Sequence, residues 1–182
     1  MKKKIEVLYE DEDYLVINKQ PNILTLPDRY NMSLLNLQEL LETEYNKIFV
    51  VHRLDKETSG IICFAKNELA HKELVQQFFE HKVKKVYLAI TQGRIVLNNG
   101  KIELPIAPDI NNPQKMKIDF VNGKPSITEY KVVERFKNYT LVEAYLITGR
   151  RHQIRIHFAT TGYPLLADSL YSDNKEFFFI SD

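Results

Sequence analysis

Two short apolar runs, Ile48–Val51 and Ile61–Phe64, stand either side of a polar stretch holding His52, Arg53, Asp55, Lys56, Glu57, Thr58, Ser59 and Gly60. The runs are β-branched and aromatic, and each reads as a short buried strand. A loop tied at both ends to core strands holds its side chains rigidly. A carboxylate placed there, beside an arginine, is a usual way to build a rigid active-site acid. The plain structural alternative is a polar turn closed by an arginine–aspartate ion pair, since such pairs also perturb carboxylates.

The remaining pattern is mostly strands. Ile5–Tyr9 and Tyr14–Asn18 read as strands joined by the acidic turn Glu10–Asp13. After the Pro-punctuated loop Lys19–Pro27, Asn31–Tyr45 reads as an amphipathic helix. Ser33 is its expected N-cap, and Leu34, Leu37, Leu40 and Leu41 form one face. Asn67 is placed to cap a second helix to about His81, with Leu69, Leu74 and Phe78 inward. Lys85–Thr91 and Ile102–Ile106 read as strands, and Asn98-Asn99-Gly100 between them suggests a hairpin. Lys115–Val121 alternates enough for an edge strand. Ile127–Arg135 and Tyr139–Ile147 read as a hairpin around Lys137-Asn138.

Thr148–Gly162 is ambiguous. Ile154, Ile156 and Phe158 alternate as in a strand, whereas Thr148 as N-cap and Gly162 as C′ argue for a helix. Many strands with two or three interspersed helices imply an α+β fold with a mixed, mainly antiparallel sheet. At 182 residues the chain is most simply one domain, 1–182.

Composition excludes several function classes. No apolar run is long enough to span a membrane. Met-Lys-Lys-Lys is followed by IEVLYEDED, not by an apolar segment, so no signal peptide is expected. Cys63 is the only cysteine and sits in an apolar run, which fits a buried thiol in a reducing cytoplasm. No CxxC, HExxH, GxGxxG or Walker pattern occurs, so neither a metal nor a nucleotide cofactor is expected.

The net charge of +1 does not by itself suggest a nucleic-acid partner. Its distribution is more informative. No acidic residue lies between Glu143 and Asp168, while Arg150, Arg151, His152, Arg155 and His157 do. Lys82, Lys84 and Lys85 form a second basic cluster, and Lys115 and Lys117 a third. Each alone reads as a solvated face; together they suit phosphates.

Three motifs in order carry a family resemblance. The string His52-Arg53-Leu54-Asp55-Lys56-Glu57-Thr58-Ser59-Gly60 resembles the signature of RluA-family RNA pseudouridine synthases. Lys85-Val86-Tyr87-Leu88-Ala89 is similar to that family's K-x-Y-x-A motif. Thr148-Gly149-Arg150-Arg151-His152-Gln153-Ile154-Arg155 matches its T-G-R-x-H-Q-I-R motif, and with it the helix reading of this segment. On such a helix Arg151 and Arg155 would share a face.

The resemblance implies isomerisation of a uridine within RNA. The N-glycosidic bond breaks, the uracil turns, and C5 joins the ribose carbon, with no cofactor or metal required. Asp55 is then the catalytic carboxylate, either a nucleophile at the anomeric carbon or a general base at the 2′ position. Arg155 is the basic residue expected beside it, and Tyr87 the ring on which the uracil stacks. Arg53, with His52 next to it, corresponds to the residue bordering the gap left when the target nucleotide is flipped out. Ile154 is an apolar wall of the base pocket. Lys85, Arg150, Arg151 and His152 are read as backbone-phosphate contacts.

The chain departs from the family pattern at three places. Where the family commonly has Lys-Pro-x-Gly, Lys19-Gln20-Pro21-Asn22 has an inserted residue and no glycine, so that loop is expected to differ, and Ala167-Asp168 stands where the family usually has Gly-Asp. The sequence ends at Asp182, soon after Tyr171, where the family normally continues through another helix and strand; Phe177-Phe178-Phe179 reads as a shortened closing strand or an apolar tail. No S4-type RNA-binding domain is expected ahead of Ile5. The expectation is a monomeric cytoplasmic enzyme acting on ribosomal or transfer RNA. The rivals are a catalytically weak RNA-binding relative and a hydrolytic glycosidase using Asp55 with Glu57.

Overall fold

The fold is that of a computed structural model, which describes residues 5–28 and 31–172. The chain forms two compact units, Met1–Val83 and Lys84–Asp182. The Phe177-Phe178-Phe179 run lies outside the described residues.

In the first unit β1 (Glu6–Glu10), β2 (Tyr14–Lys19), β3 (Phe49–Val50) and β4 (Gly60–Ala65) form an antiparallel sheet in the order β1-β2-β4-β3. The acidic turn between β1 and β2 is organised by Asp11, whose Oδ1 accepts the N–H groups of Asp13 (2.8 Å) and Tyr14 (2.6 Å). Alternation along β2 buries Leu15, Ile17 and Lys19, and β4 adds buried Ile62 and Phe64. Helix α2 (Glu68–Phe79) lies against β3 and β4. Asn67 caps it as expected, accepting the Ala70 N–H at 2.9 Å. Leu69, however, faces solvent at 83% exposure, and Ala70 is the buried residue of the first turn.

Helix α1 (Leu37–Glu42) is shorter than the leucine spacing predicts. Asn31 takes the Ser33 N–H and hydroxyl into a local turn, and Leu24 pairs with the backbone of Leu35 and Leu37. Asn36, not Ser33, is the N-cap, accepting the Glu39 N–H at 3.0 Å. Side chains that bond to nearby backbone defer the helix by one turn.

The second unit is built on a sheet ordered β5-β10-β9-β6, from β5 (Val86–Gln92), β6 (Asn99–Glu103), β9 (Ile127–Arg135) and β10 (Tyr139–Leu146). All pairings are antiparallel. The short strands β7 (Ile106–Pro108) and β8 (Met116–Ile118) pair separately. The β9–β10 hairpin is as predicted, but the one expected at Asn98–Gly100 is not formed. β5 and β6 occupy opposite edges, so their connection crosses the sheet end. It is strapped there by Arg135, which donates to the carbonyls of Ile95 and Val96, and by Thr140, which accepts the Ile95 N–H. Gly100 lies inside β6, and its bare backbone lets the Tyr130 ring cross over it.

Helix α3 (Gln153–Thr160) begins later than the sequence suggests. Thr148 does not cap it. Its hydroxyl accepts the Ile127 N–H and donates to Gln153 Oε1, and His152 occupies the N-cap with φ +55°. Arg151 therefore precedes the helix and does not share a helical face with Arg155. Gly162 ends the helix at φ +86°, and the Tyr163 N–H reaches back to the Phe158 carbonyl. Phe158 packs with Ile95, Ile102, Val142 and Ala144 as the core of this unit.

His157 is fully buried under this helix. Its Nε2–H donates to the Leu104 carbonyl at 3.0 Å, and Nδ1 accepts the Thr128 hydroxyl at 2.9 Å. Burial lowers its pKa, against the raising effect of the Leu104 carbonyl. Below about pH 6.5 the unfolded chain takes up a proton that the folded chain refuses. The stabilising contribution, complete above that pH, is therefore lost as pH falls toward the folded value. Urea midpoints of the wild type should drop between pH 7 and pH 5. His157→Gln, less stable at pH 7, should show a shallower drop; an equal drop in both proteins would remove His157 as the cause.

Candidate active site

Asp55 sits in the loop between β3 and β4, half-buried, with its backbone held from both sides. The buried Thr25 hydroxyl accepts the Leu54 N–H (3.2 Å) and donates to the Leu54 carbonyl (3.0 Å), while the Leu54 side chain enters the core. On the other side the Thr58 N–H closes a turn onto the Asp55 carbonyl at 3.1 Å. The Lys56 carbonyl accepts both the Asn22 N–H (2.8 Å) and the Lys19 ammonium (3.1 Å).

Lys19 has no exposed surface and also donates to the carbonyls of Gln20 (3.1 Å) and Ile23 (2.8 Å). One ammonium thus ties the 20–25 loop to the Asp55 loop. Asn22 sits in the left-handed region at φ +65°. Asparagine tolerates that conformation. The sequence reading singles out neither Lys19 nor Thr25. Lys19 shows only as a lysine alternating with apolar residues at the end of a strand and as the first residue of the Lys19–Asn22 string, neither of which gives it a role.

His52 and Arg53 diverge. The His52 Nε2 accepts the Cys63 N–H at 3.0 Å, and its ring stacks on Phe78 at 4.8 Å between centroids. Its described contacts hold the loop base to β4 and α2. Arg53 is exposed.

The second unit carries the other candidates. Tyr87 is half-buried on the core face of β5, opposite Ala144, and packs against the cluster around Phe158. Ala89 shares that face, while Val86 and Leu88 are exposed on the other, the alternation expected from the sequence. Ile154 also borders the cluster. Just before β5, the Lys85 amine is partly buried; desolvation first, then the charge of Arg150, lowers its pKa.

Gln153 is the hub of the Thr148–Arg155 motif. Its Oε1 accepts the Thr148 hydroxyl (2.8 Å) and the Arg150 N–H (3.0 Å). Its Nε2 donates to the Ile127 carbonyl (2.9 Å) and the Thr128 hydroxyl (3.0 Å). A buried amide with all four bonds made explains a glutamine at this position. It presents Arg150 from a fixed turn. Arg151 donates to the carbonyls of Pro113 (2.7 Å) and Lys115 (3.1 Å), and the His152 Nδ1 lies 2.9 Å from the Tyr171 hydroxyl.

Arg155 makes a two-pronged ion pair with buried Asp168, Nε to Oδ2 at 2.7 Å and Nη2 to Oδ1 at 2.8 Å. Its guanidinium also lies over the Tyr171 ring. Burial raises the Asp168 pKa. The Arg155 hydrogen bond and charge, with the N–H groups of Leu170 and Tyr171, outweigh it and hold the carboxyl below its ordinary value. The sequence shows Asp168 only within the Ala167-Asp168 pair and gives it no role, because its partner Arg155 stands in a different string.

Ala167, before it, is held at φ +57°, a conformation costly for a Cβ-bearing residue. Ala167→Gly should raise stability by about 0.5–1 kcal/mol, after the unfolded-state entropy of glycine is subtracted. Chemical denaturation checks it, and a lower midpoint in the glycine variant would contradict the strain.

The sequence model of the family described as RNA pseudouridylate synthase matches residues 13–160. The chain is 37% identical to an uncharacterized RNA pseudouridine synthase, YlyB, of Bacillus subtilis, over 94% of this chain and 59% of that protein. It is 38% identical to a ribosomal large subunit pseudouridine synthase D of Neisseria meningitidis, over 94% of this chain and 47% of that one. A dual-specificity RNA pseudouridine synthase RluA of Pasteurella multocida is 36% identical, over 92% of this chain and 77% of its own. The solved structure of human RNA pseudouridylate synthase domain containing 1 superposes with a TM-score of 0.79 at 28% identity, over 94% of this chain and 71% of that one. With the motifs and the matched fold, these place the chain in the RNA pseudouridylate synthase family, in its RluA group.

Proposed function

We propose that this chain is an RNA pseudouridine synthase that isomerises specific uridines in ribosomal or transfer RNA, with Asp55 as the catalytic carboxylate. Residues 1–182 work in this reading as one catalytic domain, in the cytoplasm and as a monomer. The family match from residue 13 to 160 draws on both units, which supports a single functional domain. No helix among the described residues is long and apolar enough to cross a membrane. A relative named for the large ribosomal subunit supports ribosomal RNA as a substrate class.

The observation that carries the reading is the Asp55 loop. Its backbone is fixed by Thr25, Lys19 and Asn22, so the half-buried carboxylate meets a substrate without first being ordered. At the ribose it has two routes, attack on the anomeric carbon or removal of the 2′ proton. On either route the N1–C1′ bond breaks and a C5–C1′ bond forms. C5 loses its proton and N1 gains one, so the reaction balances as an isomerisation.

The other residues bind and position. Tyr87 offers its ring to the uracil, with Ile154 as an apolar neighbour. Arg155, oriented by Asp168, is the basic residue of the site. Exposed Arg53, with His52 fixing the loop behind it, borders the gap of the flipped nucleotide. Lys85, Arg150, Arg151 and His152 face the phosphates.

Loss of tritium from the uracil C5 of RNA labelled with 5-tritiated uridine reads the reaction directly. Asp55→Asn should reduce it to background with the melting temperature unchanged. Turnover near the wild-type rate in that variant would reject Asp55 as the catalyst, and release of free uracil would indicate a hydrolase instead.

Tyr87 is tested by a pair of variants. Tyr87→Phe should keep both fold and stacking surface. Tyr87→Ala should lower turnover by roughly ten- to over a hundredfold. If the alanine variant is badly destabilised, yet keeps its activity per folded molecule, Tyr87 is packing and not part of the site.

A further inference from the structure

Beyond β8 the chain makes a turn, Asp119–Gly123, that none of the preceding roles uses. Phe120 is 78% exposed and Val121 88%. Single exposed apolar residues are ordinary on a protein surface. Two adjacent ones at the tip of a fixed turn call for a physical reason.

The turn is built to hold its shape. Asp119 Oδ1 accepts the N–H groups of Val121 (3.0 Å) and Asn122 (2.9 Å). The Gly123 N–H donates to the Asp119 carbonyl at 2.9 Å, and the Asp119 N–H to the Pro105 carbonyl at 3.0 Å. A Cβ on Gly123 would stand 2.2 Å from the Asp119 carbonyl oxygen and 2.8 Å from the Pro105 carbonyl carbon, so only glycine closes the turn. Phe120 and Val121 are thus presented outward from a preordered backbone, and a partner would not have to pay for ordering it.

The charge around the tip points to the kind of partner. Lys117 pairs with Asp119 Oδ2 at 3.0 Å and keeps part of its side chain exposed. Lys124, just past the tip, is exposed, and Lys115 lies at the start of β8. The Asp119 carboxyl is held down to about 2, first by the Asn122 N–H, then by Lys117 and the Val121 N–H. It is anionic, but its charge is taken up inside the turn. The cores of protein–protein interfaces are depleted in lysine. An aromatic side chain beside lysines is instead the composition of a contact to unstacked bases and their phosphates.

We propose that the Asp119–Gly123 turn is a second RNA contact. Phe120 and Val121 pack on an unstacked base or opened base step of the substrate, while Lys117 and Lys124 engage neighbouring phosphates. Apolar side chains inserted at base steps in this way are a known physical means of gripping a deformed helix. The proposal rests on the reading of RNA as the substrate.

The test uses bulk RNA from cells lacking the gene, labelled with 5-tritiated uridine, and three variants of the full chain. In the double variant Phe120→Ala, Val121→Ser, the melting temperature and kcat should be unchanged and KM should rise at least about fivefold. Phe120→Trp should restore or improve KM. Lys124→Gln should reduce the salt dependence of binding by about one phosphate's worth. Filter binding of the same RNA runs in parallel, so the contact is read whether or not turnover occurs. A wild type that binds RNA without releasing tritium would sink the enzymatic reading and leave the binding comparison in force. Unchanged affinity and KM in the double variant would overturn the contact. So would loss of self-association in sedimentation with RNA affinity intact, which would assign the turn to protein.

Discussion

The Asp55 loop depends on one buried cation. The Lys19 ammonium has three N–H donors, and the carbonyls of Gln20, Ile23 and Lys56 each take one. Burying a charge is expensive unless it is fully hydrogen-bonded. The expense has a structural return, because the three carbonyls belong to two different loops. Remove the ammonium and the carbonyls of Gln20 and Ile23 lose their donor, while that of Lys56, in the segment that holds Asp55, keeps only the Asn22 N–H. A methionine of similar length would fill the space and leave those carbonyls short, the asymmetry that makes lost buried hydrogen bonds costlier than made ones are worth. Thr25 adds a second clamp one residue before the carboxylate. The backbone around Asp55 is therefore set by groups outside its own loop.

The second unit uses the same device with neutral groups. Gln153, Thr128 and His157 form a continuous chain of buried hydrogen bonds ending on the Leu104 carbonyl. It joins the start of α3 to β9 and to the link between β6 and β7. Such networks specify one arrangement when every member is satisfied and penalise the alternatives. Among the described residues no buried side-chain nitrogen or oxygen lacks a partner, so the network is complete. Arg150 follows from it directly, because its N–H bonds to Gln153 Oε1 and its turn is fixed before any phosphate arrives. Arg155 is oriented separately, by both oxygens of Asp168.

This division explains what could be read in the sequence. The strands were legible because β-branched runs alternate and turn residues separate them; β9 and β10 fall within a residue or so of the expected bounds. The three site motifs were legible as strings. Their supports were not, since the bonds of Lys19, Thr25 and Asp168 join separate segments, which no single string displays. The starts of α1 and α3, unlike that of α2, differ from expectation for a local reason. Asn31, Asn36 and Thr148 each spend a side chain on backbone or glutamine partners that apolar periodicity does not register. Leu69 failed because the first turn of α2 buries the small Ala70 instead. The glycine at position 100 was read as a turn, when it is a gap in a strand that a cross-strand tyrosine fills.

Two residues that bear a Cβ stand in the left-handed region beside the supports of the site. Asn22 and Ala167 both keep positive φ, at +65° and +57°. Asparagine visits that region readily. Alanine gains nothing there and carries the strain. What holds Ala167 in place is its neighbour. Asp168 is fixed by Arg155 and by the N–H groups of Leu170 and Tyr171, so the chain before it has little freedom to relax. The strain persists because the ion pair over-determines the backbone, as sparsely populated conformations generally require. The same Asp168 that orients the arginine therefore sets the conformation at Ala167.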